Sequence, residues 1–150
     1  MRSETAMPSE TDGADADLTQ RVTAEIEALH VQFERWFAGS IDDFEPIRSS
    51  MADGFTFVSP GGDIIERAQL LPSLLASHGS RRVPIRIEHV VVRWSRDSAV
   101  LATYEEWQGH PGYTTARQST VLFIEDESTP NGLLWSHVHE TWKVPPPADG

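Results

Sequence analysis

The chain has 150 residues, with 23 Asp plus Glu against 12 Lys plus Arg, and its formal net charge of −11 argues against a phosphate-neutralising surface and against attraction to anionic lipid. It has no cysteine, which excludes disulfides, thiolate zinc sites and a cysteine nucleophile. A length near that of one domain, a start unlike a signal peptide and no run near the ~18 apolar residues of a membrane span together predict one cytoplasmic domain, with neither nucleic acid nor membrane as partner.

Residues 1–17 are acidic and built mainly of Ser, Thr, Glu, Asp, Ala, Gly and Pro, with nothing to anchor them in a core, so they read as a disordered tail. From Leu18 onward Val22, Ile26, Leu29, Phe33, Trp36 and Phe37 recur at helical spacing and predict a long amphipathic helix that Gly39 can end. Asp42 can cap a short second helix in which Phe44, Ile47 and Met51 share a face. Phe55–Ser59 reads as a strand, Pro60-Gly61-Gly62 as a turn and Asp63–Ile65 as a return strand. Residues 67–78 carry Leu70, Leu71, Leu74 and Leu75 and predict a third helix, kinked or delayed by Pro72 and stopped at Gly79.

The remainder reads as sheet. Residues 84–94, 98–108, 114–125 and 133–144 are β-branched and aromatic segments separated by turn residues, and a phase change between Ile87 and Val90 predicts a β-bulge near His89. Pro145-Pro146-Pro147 ends the last strand, and residues 145–150 read as a second disordered tail. The ordered domain is thus expected over residues 18–144. Three helices before a bent antiparallel meander predict an α+β roll, a cone whose concave face the helices cover. If the hairpins keep even residues beside even ones, the mainly apolar even set of the last three strands faces inward, including Tyr104, Glu106, Gln118, Thr120, Glu140 and Trp142. The odd set then forms an outer surface suited to a dimer interface, and a one-residue slip at either hairpin would exchange the faces and bring Arg117, His137 and His139 inward.

Chemistry in this sequence centres on few residues. Glu106 and Glu140 project from the same face, and burial beside Tyr104 and Trp142 would raise a carboxyl pKa toward the range of a general acid or base; solvation or pairing with an arginine is the commoner fate of such groups. Tyr104 or Thr120 would steady a developing oxyanion. His30, Phe33, Trp36, Phe57, Gln118, Thr120 and Trp142 are candidate ligand contacts, although aromatic residues at such spacings usually fill core. His137 and His139 stand side by side as in some zinc or copper pairs, but His89 and Glu105 are the only suppliers of a third ligand and neither has a diagnostic spacing, so neither metal nor other cofactor is expected. Arg117 is expected to pair with Glu105 across a hairpin.

The element order, with Trp36, Phe55-Thr56-Phe57-Val58-Ser59-Pro60 and Trp135–Trp142, resembles the nuclear transport factor two-like (cystatin-like) superfamily over residues 18–144. Within it the chain is similar to small SnoaL-like and ketosteroid isomerase-like proteins, and Trp135, Val138, His139 and Thr141 are similar to the closing pattern of the calmodulin-dependent kinase association domain. That resemblance implies a pocket between sheet and long helix and homodimers packed through the sheet, but no single activity. Three readings follow: a homodimer holding a small, partly apolar molecule; an isomerase, cyclase or hydrolase using a pocket carboxylate; or an assembly module with a filled cone.

Overall fold

The computed structural model describes residues 10–148. Its elements are helix α1 (Glu10–Ala38), helix α2 (Glu45–Ser50), strands β1 (Met51–Val58) and β2 (Ile64–Glu66), helix α3 (Arg67–Ala76), and strands β3 (Ile85–Arg96), β4 (Ala99–His110), β5 (Tyr113–Glu125) and β6 (Leu133–Val144). The strands form one sheet in the order β2-β1-β6-β5-β4-β3, antiparallel except where β1 runs parallel to β6. This is the predicted α+β arrangement, helices against the inner face of a bent sheet, with one parallel pair added.

Local differences have local causes. The first helix begins at Glu10, not Leu18, so residues 10–17 of the expected tail are helical. Residues 1–9, 149 and 150 lie outside the described residues. Asp42 does not cap α2: Phe44 holds the cap position, Asp43 Oδ1 accepts from the Glu45 N–H at 3.0 Å, and Asp42 pairs with His78 instead. Met51 leaves the helix face to begin β1. α3 runs through Pro72, anchored by a capping box in which Glu66 and Gln69 satisfy each other's backbone N–H groups.

The core lies between α1 and the sheet. Val22, Ile26, Leu29, Trp36 and Phe37 of α1 are buried against Val100, Ala102, Tyr104, Val121, Phe123, Leu133, Trp135 and Val138. His89 sits at φ 56°, with register shifts on either side of Val91–Val92, so the predicted bulge is present and bends β3 around the helix.

Sheet register departs from the even-beside-even expectation. The β4–β5 turn is shorter than the residues between the predicted strands: His110 pairs with Tyr113 across Pro111-Gly112, and a two-residue loop necessarily pairs i with i+3. Even residues of β4 therefore sit beside odd residues of β5, as in Tyr104↔Ser119 and Glu106↔Arg117. Arg117, Ser119, Val121 and Phe123 face inward, while Gln118 and Thr120 face out. On β6 an irregularity at Ser136 lets Trp135 oppose Phe123 while Val138 opposes Val121, so Trp135 turns inward together with Val138 and Glu140.

Gly39 ends α1 at φ +76°, and a Cβ there would meet the Gly79 Cα at 3.3 Å, where the loop after α3 crosses the helix end. Gly39→Ala is expected to lower stability by about 1–2 kcal/mol through the left-handed backbone alone, read as a lower urea midpoint at unchanged slope.

Candidate functional site

A cavity of about 220 Å³ opens between α1, α3 and the inner face of the sheet. Leu29, Phe33 and Phe37 of α1, Met51, Phe55 and Phe57 of β1, Leu70 and Leu74 of α3, and Val83, Ile85 and Val138 supply apolar walls. Polar groups come from α1 and strands β4, β5 and β6: His30, Tyr104, Glu106, Gln108, Arg117 and Glu140, with Trp135 beside them and Arg81 from the segment after α3.

Most of these polar side chains belong to two buried hydrogen-bonded clusters, centred on Glu106 and Glu140, that feel each other's charge. His30 is 4% exposed, and its Nδ1 lies 2.7 Å from the Ile26 carbonyl, which can only accept, so Nδ1 carries a proton. Its Nε2 lies 3.0 Å from Glu106 Oε1, and Gln108 donates to Glu106 Oε2 at 2.6 Å. Across the strand pair, Arg117 Nη1 donates to Glu140 Oε1 at 2.6 Å and the Ser119 hydroxyl to Oε2 at 3.2 Å. Rings of Phe33, Tyr104 and Trp135 surround the imidazole with centroids 5.6, 5.7 and 6.0 Å away.

Burial and charge divide the titrations. Burial opposes the His30 imidazolium, but Glu106 outweighs it and the pKa is raised from 6.5. Burial likewise opposes the Glu106 carboxylate, yet His30 and then Arg117 hold its carboxyl below the usual range. Glu140 moves the other way: burial and the Glu106 charge push it up against the pull of Arg117. Tyr104 is held protonated, well above an ordinary phenol, by burial and both carboxylates. Of two neighbouring carboxyl groups, Glu106 is the one fixed as an anion and Glu140 the one nearer to accepting a proton.

The structure brings Tyr104, Glu106, Glu140, His30, Phe33 and Phe57 together around the cavity and leaves the other candidates elsewhere. Trp36 is buried outside it, donating to the Leu74 carbonyl at 2.7 Å. Gln118 donates to the Tyr104 carbonyl from the outer face, and Thr120 lies opposite Thr103 and His139 there. Trp142 is half-buried beneath the Arg117 guanidinium, 5.2 Å from Cζ to ring centroid, and is absent from the lining. Arg117 does not pair with Glu105; that carboxylate takes Lys143, His89 and Trp107 on the outer face. His137 bonds Thr56 at 2.6 Å and His139 is exposed, and no cluster suited to a metal ion occurs among the described residues. The even-residue pattern left Arg117 to the alternative inward set, and Gln108, although even, was not among the candidates. For Arg117 the missing signal was the parity of the Pro111-Gly112 turn.

Comparison with known proteins agrees with this fold. The family model for the C-terminal region of sucrose-6-phosphate phosphohydrolase matches residues 22–144, and the chain belongs to that family. Sucrose-phosphatase 1 of Nicotiana tabacum is 25% identical over 141 residues, covering 88% of this chain and 33% of the relative. The chain spans about a third of the length of the curated relatives it matches. Among solved structures, an NTF-2-like protein of unknown function from Pseudomonas aeruginosa superposes with TM-score 0.75 at 25% identity, covering 81% of this chain and 98% of that one. The association domain of C. elegans CaMKII superposes with TM-score 0.66 at 15% identity, covering 85% and 98%. The fold is the nuclear transport factor two-like, cystatin-like one that the sequence resembles.

The His30–Glu106 pair makes a direct prediction. By proton linkage its stabilisation is fully present below pH about 6.5 and is lost as pH rises through the raised folded-state pKa of His30. The NMR titration midpoint of His30 is expected above 6.5 in the native protein, and Glu106→Gln is expected to bring it below that value, because burial then dominates. A midpoint unmoved by the substitution would show that the pair does not set the charge of the ring.

Proposed function

We propose that this chain, as a member of that family, is a cytoplasmic homodimeric binding protein that holds a small, partly apolar molecule in the cavity between α1 and the sheet. The observation that carries the reading is the segregation of the lining: apolar walls over most of the surface, with most polar groups gathered into two adjoining hydrogen-bonded clusters, His30–Glu106–Gln108 and Arg117–Glu140–Ser119. Such a lining desolvates an apolar body and orients it by a few fixed polar contacts. Binding is preferred to turnover because the carboxylates are engaged. Glu106 is a weak base while His30 and Arg117 hold it ionised, and Glu140 already accepts from Arg117 and Ser119. No helix among the described residues is long and apolar enough to cross a membrane.

Glu140 and Tyr104 favour a second reading, an isomerase, cyclase or hydrolase. A carboxyl group with raised pKa beside a phenol kept protonated is a proton donor next to an oxyanion donor. The phosphatase activity named for the curated relatives belongs to proteins of which this chain spans about a third, and none of its residues is assigned to that reaction. Likeness to a kinase association domain supports pairing through the outer sheet face, where Thr103, Thr120 and His139 stand together, and leaves a ligand-free assembly module as the third reading.

Native mass spectrometry of gently purified protein tests the first reading. The expected result is a dimer with a small extra mass that denaturation removes, and that Val138→Phe, which fills the cavity, abolishes while leaving the dimer intact. A dimer without added mass, together with no change in thermal stability across a panel of small molecules, would overturn it. Under the second reading Glu140→Gln retains the bound mass and stops turnover of that molecule.

A further inference from the structure

The cavity has two polar regions of different character, and the difference specifies a ligand class. In the inner region, each carboxylate oxygen of Glu106 and Glu140 already accepts one hydrogen bond from a neighbouring side chain. An ionised carboxylate has about four lone-pair sites, so both groups keep acceptor capacity toward the cavity. A hydroxyl or N–H of a ligand satisfies these sites, whereas an anionic group would stand against them.

Arg81 is the opposite case. It and Arg117 are the arginines of the lining, and Arg117 is neutralised by Glu140. Arg81 is solvent-exposed and takes part in no ion pair among the described residues. Its backbone N–H donates to the Phe37 carbonyl at 3.1 Å, tying the segment to the end of α1, and its Cζ lies 4.0 Å over the Phe37 ring. Stacking fixes the plane of a guanidinium while its N–H edges stay free, and Nη1 makes one 3.4 Å contact, to Ser80 Oγ. A chain with net charge −11 thus places an unneutralised, oriented cation at the mouth of an apolar cavity. The overall negative field is screened over about 8 Å at physiological salt, so the contact at Arg81 governs a ligand seated there.

We infer that the cavity takes a small organic anion whose carboxylate or phosphate sits on Arg81 at the mouth and whose apolar body carries a hydroxyl or N–H donor to Glu106 and Glu140. This inference rests on the cavity being a binding site. It makes Arg81 a specificity-determining residue: the guanidinium chooses the anion, and the carboxylates fix which end enters first.

The test is ligand-observed NMR on the full chain with a matched panel: hydroxylated aryl- and alkylpropionic acids, the corresponding phosphate monoesters, the neutral methyl esters, and inorganic phosphate alone. Binding within the cavity is defined by loss in Val138→Phe. The expected result is that acids or phosphate monoesters bind about tenfold more tightly than their neutral partners, as a charge-assisted hydrogen bond allows. Arg81→Gln should remove that advantage without changing the affinity of the neutral compounds. Arg96→Gln, the same charge change on β3 away from the lining, should leave every affinity as it was. Carboxylates alone, or phosphates alone, gaining affinity would identify the anion. Neutral compounds binding as tightly as anions, an advantage that survives Arg81→Gln, or equal losses in both arginine variants would overturn the inference and leave the binding reading intact. Inorganic phosphate retained on Arg81 without any organic member of the panel would overturn it too. If no member binds wild type differently from Val138→Phe, the binding reading fails and the inference with it.

Discussion

A buried ion pair between helix and sheet is the constraint around which the rest of this molecule is arranged. His30 projects from α1 and Glu106 from β4, both almost wholly removed from water, and neither tolerates burial as a charge without the other. Breaking such a pair by removing one partner typically costs about 3–5 kcal/mol because the remaining charge is stranded. The rotation of α1 about its axis is therefore tied to the register of β4. The aromatic residues on either side, Phe33 on the helix and Tyr104 and Trp135 on the sheet, pack around the imidazole.

The second carboxylate completes a balanced set. Arg117 answers Glu140 as His30 answers Glu106, and Gln108 and Ser119 occupy the remaining near positions. A comparable pin lies on the other side of Trp135, whose indole N–H donates to the buried Glu25 carboxylate at 2.8 Å while Asn131 donates to its other oxygen. The indole is held from behind by α1 and presents its ring to the cavity. Polar groups inside this protein thus do two things at once: they lock helix to sheet, and they leave acceptor atoms facing an otherwise apolar chamber.

A shared fold does not carry a shared activity. The family model covers 123 residues of this chain, 22–144, and the solved relatives include proteins of unknown function beside kinase association domains. Function is instead decided at the site, where the position of an unneutralised arginine and the commitment of two carboxylates narrow what chemistry can occur.

Much of the fold was legible from the sequence because its elements are long and strongly periodic. The stripe from Val22 to Phe37 specifies the helix, the β-branched segments specify the four long strands, and the phase change near His89 specifies the bulge. Tyr104, Glu106 and Val138 could be assigned to the inner face because alternation within one strand is a local property. What the sequence did not decide was how strands face one another. The Pro111-Gly112 turn, one bulged residue at Ser136 and the parallel docking of β1 on β6 choose the parity of each pairing, and parity sent Arg117 inward and Gln118 and Thr120 outward. Arg81 was equally hidden, since its place at the cavity mouth comes from the loop after α3 crossing the end of α1. Periodicity along one element is written in its own residues, whereas register between elements is settled by loop length and packing. The sequence by itself therefore determined the layers and most of the core, and only the tertiary structure decided which charges meet in the cavity.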